Sequence, residues 1–130
     1  MKILDTDFLI ALLRGDGDIE SLMEIFDREG SYATTVVNVF EVLIGAYRAK
    51  TDPSARDKIQ NLVRSIDVLG LDIEVADQAA RIQAALMDNG ELFEARDVLV
   101  AAIASKYNAA IVTRNIKHFS RIEDLVVEEW

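Results

Sequence analysis

The chain has 130 residues, about half of them hydrophobic (51%), one Pro, six Gly and no Cys. That is enough apolar material for the core of one domain spanning 1–130, and it excludes disorder, disulfides and thiolate metal sites. A net charge of −9 excludes a protein that simply coats nucleic acid with Lys and Arg. It leaves two readings of the acids, ordinary solubility or a cluster that holds a cation and thereby attracts phosphate.

In chain order, short apolar runs alternate with helical stretches. Lys2–Leu4 reads as a strand. The acids that follow at once argue against a signal peptide, and no apolar run is long enough to span a membrane. Phe8 to Leu13 reads as a buried helix. Asp18 suits a helix cap, with Ile19, Leu22, Met23 and Phe26 on one face and Gly30 at the end. Ser31 to Thr34 is a second strand. A longer helix runs from Thr35 to about Lys50, with Val36, Phe40, Leu43, Ile44 and Tyr47 on its expected core side. Asp52-Pro53 reads as a helix start with Pro in the first turn. Ile59, Leu62, Val63 and Ile66 line that helix. Val68 to Leu71 is a third strand, and Asp72 caps a helix bearing Val75, Ala79, Ile82 and Leu86, stopped by Asn89-Gly90. Asp97 to Tyr107 is an Ala-rich helix, Ala110 to Val112 a buried strand, and Leu125 to Val127 a last one. This alternation predicts an α/β fold with a mostly parallel sheet, whose ligands gather beyond the carboxyl ends of the strands.

Asp5 and Thr113 to Asn115 fall on that edge. Asp5 and Asp7 directly follow the first strand, where a carboxylate can hold a cation or cap a helix. Glu41 is the only charge between Ser31 and Ala46, inside the apolar run VVNVFEVLIGA. A carboxylate there is costly unless a cation relieves it or it emerges on the wet side. Asp97 opens its helix, where the helix dipole also favours a negative charge. Arg96 and Arg114 can reach phosphate, Thr113 and Asn115 can hold water or a phosphate oxygen, and TRN is equally a turn sequence. His118, the single histidine, suits a base, a phosphate contact or plain surface. All-oxygen donors suit Mg²⁺ or Mn²⁺, while one His and no Cys argue against zinc. There is no Gly-rich phosphate loop and no G-x-S-x-G elbow.

Three segments in order, LDTDFLIALL at 4–13, NVFEVLIGAYR at 38–48 and RDVLVAAIASKYNAAIVTRNIKHFSRI at 96–122, followed by EDLVVEEW, resemble a PIN domain. Within that family they are similar to the VapC toxins of toxin–antitoxin pairs. The resemblance covers the whole chain and implies a three-layer α/β/α sandwich. It also implies a cytoplasmic Mg²⁺- or Mn²⁺-dependent endoribonuclease that leaves 5′-phosphate and 3′-hydroxyl ends. The family's acids carry over onto Asp5, Glu41 and Asp97. A fourth acid is often found after the late strand, and there this chain offers Asn115 or His118 instead. RNA as substrate, a VapB-like antitoxin and a homodimer are implied partners. A phosphatase of the haloacid dehalogenase type fits less well, because Leu9 stands where it wants Thr or Val. A receiver domain lacks its acceptor Asp. A binding-only PIN domain is opposed by the three acids and left open by Asn115 and His118.

Overall fold

A computed structural model describes residues 1–50 and 52–130. In chain order the elements are β1 (Lys2–Leu4), α1 (Thr6–Arg14), α2 (Ile19–Glu29), β2 (Tyr32–Thr35), α3 (Val36–Arg48) and α4 (Ala55–Ser65). They continue with β3 (Asp67–Leu69), α5 (Ile73–Asp88), α6 (Ala95–Lys106), β4 (Ala110–Val112), α7 (Ile116–Phe119) and β5 (Val127–Glu128). The strands form one sheet in the order β3-β2-β1-β4-β5, and all four pairings are parallel. The first strand, at the centre, thus receives its neighbours from distant parts of the chain.

Alternation along the strands sorts the core into two layers. Ile3 and Ile111 face Val75, Ala79, Leu86 and Val98 from α5 and α6. Leu4 and Val112 face Phe8, Leu9, Ile19, Phe26, Val42 and Ile59 from α1 to α4. Helices therefore cover both faces, as an all-parallel sheet requires. Among the described residues no helix is long and apolar enough to cross a membrane.

Several boundaries differ from the sequence expectation, each for a local reason. The first helix starts at Thr6 rather than Phe8, because the Asp5 carboxylate caps it by accepting from the Thr6 amide at 2.8 Å. Gly15 ends that helix in the left-handed region at φ +68°, with its N–H on the Ala11 and Leu12 carbonyls. Pro53 is not in the first helical turn. The Asp52 carboxylate accepts from the Ser54 amide (3.0 Å) and hydroxyl (2.7 Å), which bends the chain across Pro53 and delays α4 to Ala55. The third and last strands are offset from their expected spans, to Asp67–Leu69 and Val127–Glu128. The short α7 went unforeseen.

The largest correction concerns α3. Its buried residues are Val37, Asn38 and Val42, while Val36, Phe40 and Tyr47, expected inside, are exposed. The helix is apolar nearly all round, so hydrophobic periodicity does not fix its rotation. Polar contacts of Asn38 with the end of β1 and the start of α1 accompany the orientation adopted.

Candidate active site

The sheet register builds the centre. Ile3 pairs with Ala33 on one side and Leu4 with Val112 on the other. One step further along, Asp5 comes level with Thr35 and Thr113, at the carboxyl edge of the three middle strands. The Thr113 hydroxyl donates to Asp5 Oδ2 at 2.7 Å. Oδ1 accepts from the Thr6 amide (2.8 Å) and from Asn38 Nδ2 (3.1 Å). Asp5 thus has one fixed orientation, set by three segments of chain.

Asn38 is a residue that sequence reasoning missed. It is fully buried, and its amide satisfies three partners at once. Nδ2 donates to Asp5 and to Thr6 Oγ1 (3.0 Å), while Oδ1 accepts from the Thr35 hydroxyl (2.7 Å). The signal was legible as a lone Asn in an apolar helix, three residues before Glu41 and so on the same side. Asn38→Ala is expected to leave the Thr35 hydroxyl and one Asp5 oxygen short of a partner. A loss of about 1–3 kcal/mol in urea unfolding is the predicted reading.

Glu41 lies at the edge of the same region, half-buried, with Arg96 Nη1 at 3.6 Å. Arg96 also pairs with Glu94 at 3.0 Å. Burial pushes the Glu41 carboxyl above its ordinary value. Arg96 pulls it back in part, and the charges of Asp5 and Asp97 push it up again. Asp5 is likewise raised, chiefly by burial, against the lowering effect of its hydrogen bonds from Thr113 and Thr6. The charges of Asp7 and Asp97 add to the rise. Asp5, Glu41 and Asp97 are therefore one electrostatic unit.

Asp97 lies in the first turn of α6, with Glu94 at the cap position that Asp97 was expected to fill. Its Oδ2 is 2.8 Å from His118 Nε2. Asp7 is exposed and contributes to the site only through its charge. Asn115 is exposed. Its amide donates to Thr113 Oγ1 at 3.0 Å, and its side chain makes no hydrogen bond among the described residues. Arg114 stacks on the Trp130 ring at 3.8 Å. Of the expected site residues, the fold joins Asp5, Glu41, Asp97, Thr113, Arg96 and His118 by contact or by charge, and leaves Asp7, Arg114 and the Asn115 side chain at the margin.

The family model for the PIN domain matches residues 2–125. The chain belongs to the PIN-domain family. Among curated relatives it is 32% identical to "Ribonuclease VapC" of Rickettsia bellii, covering 96% of this chain and 92% of that one. It is 28% identical to "tRNA(fMet)-specific endonuclease VapC" of Shigella flexneri, covering 98% and 96%. Among solved structures, VapBC2 from Rickettsia felis bound to a promoter DNA fragment superimposes with a TM-score of 0.91 at 21% identity, covering 99% of this chain and 98% of that one. The PIN-domain assignment sets aside the phosphatase and receiver alternatives. The fold expected from the pattern, helices on both faces of a parallel sheet, is the one found.

Proposed function

We propose that this PIN domain is a metal-dependent endoribonuclease, the toxin of a VapBC-type toxin–antitoxin pair. The observation that carries the reading is the convergence of Asp5, Glu41 and Asp97, two of them held above the ordinary carboxylate range, beside the end of β1. Mutual repulsion of three acids in a partly buried place is what a divalent cation relieves. The donors are all hard oxygens, which fits Mg²⁺ or Mn²⁺. Among the described residues no three His, Cys, Asp or Glu side chains stand close enough together to form a ready-made metal site. Mg²⁺ does not require one, since it keeps several waters and takes only one or two carboxylates.

In this reading Asp5, Glu41 and Asp97 hold the ion between them, directly or through its waters. When bound, it supplies a water of lowered pKa and neutralises charge on the scissile phosphate. Thr113 and Asn38 fix the direction of Asp5, so Thr113 orients a ligand rather than the RNA. Arg96 stands at the rim beside Glu41 and is the best placed cation for a phosphate oxygen. Arg114 and Asn115 lie farther out, where they can meet only the flanking RNA.

The relatives' names support RNA as substrate. A groove between α1, α3 and α4, of about 510 Å³, is lined by Ile10, Leu13, Val42, Ala46 and Ile59 and reaches Glu41. Arg14, Asp52 and Lys58 also line it, and this mixed lining suits an amphipathic helix of a VapB-like antitoxin with a basic side chain directed at the acids. A homodimer completes the proposed assembly.

The test uses purified protein and a mixed RNA pool, with RNA ends sequenced. Cleavage with Mg²⁺ or Mn²⁺, its disappearance with EDTA and its return on adding Mn²⁺ are the expected results. The fold should survive Asp97→Asn and Glu41→Gln while cleavage does not. Cleavage by a folded Asp97→Asn protein at the wild-type rate would end the proposal.

A further inference from the structure

Among the described residues Asp97 Oδ2 has one partner, and that partner is itself tightly held. His118 Nε2 lies 2.8 Å from it. The other ring nitrogen, Nδ1, lies 3.0 Å from Arg121 Nη2. A guanidinium has donors only, so Nδ1 must accept. The ring hydrogen is then on Nε2, and it points at Asp97. Two aromatic contacts fix the plane of the ring. Phe93 stacks on it with centroids 4.2 Å apart and planes 20° apart, and Phe119 meets it edge-on at 5.3 Å. Arg121 also lies over the Phe93 ring, at 4.4 Å. Arg121, His118 and Asp97 form a relay in which Arg121 donates to His118 and His118 donates to Asp97.

We infer that His118 is the positioning residue for Asp97, aligning its carboxylate for the cation, and is not itself a ligand in place of the missing fourth acid. The inference rests on the metal-dependent reading given above. With Nε2–H directed to Asp97 and Nδ1 occupied by Arg121, the imidazole has no lone pair free for a cation. What it supplies is a charge-assisted hydrogen bond that holds one oxygen of Asp97, Oδ2, and leaves Oδ1 available to a cation. The chain thus replaces an acid by a residue that strengthens a neighbouring one. His118 is half-buried, with 19% of its side chain exposed, so the bond is sheltered from competing water.

The experiment measures Mn²⁺ affinity by calorimetry without RNA, beside the melting temperature, for wild type, His118→Phe, His118→Gln and Asp97→Asn. His118→Phe keeps the stack on Phe93 and removes the donor. His118→Gln places an amide N–H near the position of Nε2. Mn²⁺ affinity should fall about 10- to 100-fold in His118→Phe at an unchanged melting temperature, and return most of the way in His118→Gln. Should His118→Phe fail to fold, His118→Asn, too short to reach Asp97, carries the same expectation of weakening. Wild-type affinity in a folded His118→Phe or His118→Asn protein overturns the inference. Equal weakening in the Gln and Phe variants also overturns it, because it would mark the imidazole as a direct ligand. If Asp97→Asn loses Mn²⁺ and His118→Phe does not, only this inference fails. If wild type itself takes up no Mn²⁺, the metal-dependent reading fails and this inference with it.

Discussion

Asp5→Asn is expected to lower RNA cleavage by at least about 10³-fold and, at the same time, to raise the melting temperature of the metal-free protein. The first effect follows from the proposal that Asp5 holds a cation, whose contribution to such a reaction is several kcal/mol. The second follows from the direction of its proton equilibrium. Burial raises the Asp5 carboxyl above its ordinary 3.8 in the folded chain. Between 3.8 and that raised value the folded state binds more protons than the unfolded one, so stability falls as pH rises through this window. Above it the charge is carried at full cost. The amide of Asn carries no charge, still accepts from the Thr6 amide and Asn38, and can donate to Thr113 Oγ1. The variant should therefore match wild type below about pH 4 and exceed it by a few degrees near pH 7, read by thermal melts in EDTA across pH. A melting temperature lower than wild type at pH 7 would mean that Asp5 is chiefly structural. Saturating Mn²⁺ should reverse the order, because the ligand stabilises only the protein that binds it.

Phe8→Ala should be the most damaging single change outside the acids. Phe8 is fully buried, stacked against Phe26 at 5.7 Å and met edge-on by Trp130 at 4.9 Å. Loss of such a ring costs about 3–5 kcal/mol. A domain of this size has a total of about 5–15 kcal/mol. Urea unfolding would show the midpoint falling by a third or more with the slope unchanged. A loss under 1 kcal/mol would show that α1 does not depend on this packing. The site would feel the change too, since Phe8 lies one helical turn beyond Asp5 and anchors the helix that Asp5 caps.

Much of this was readable before any coordinates. Alternating strands and helices gave the parallel sheet, and the sheet's carboxyl edge picked out Asp5 and the Thr113 region. Glu41 stood out as the one charge between Ser31 and Ala46. What was illegible was whatever depends on rotation or on side-chain partners. The apolar α3 offered no unique inward face, so Phe40 and Tyr47 were misplaced and Asn38 was overlooked. The turn at Asp52 depended on a side chain reaching over Pro53, which helix-start rules do not include. His118 was open between ligand, base and surface because its meaning lies in Asp97, 21 residues earlier, and in Arg121 and Phe93. The family resemblance supplied the order of the acids, but not which neighbours align them.

The bond between Asp5 and Thr113 spans 108 residues of sequence. The central strand finds one partner at Tyr32 and the other only at Ala110. Contacts so distant close late, after the entropy of long loops has been overcome. During synthesis, a ribosome that has released only the first two-thirds of the chain carries Asp5 and Glu41 without Asp97 or Thr113. The acid cluster proposed as the metal site is therefore complete only once α6 and β4 have joined the fold, and under that proposal a chain stopped short of them would lack the means to cut RNA.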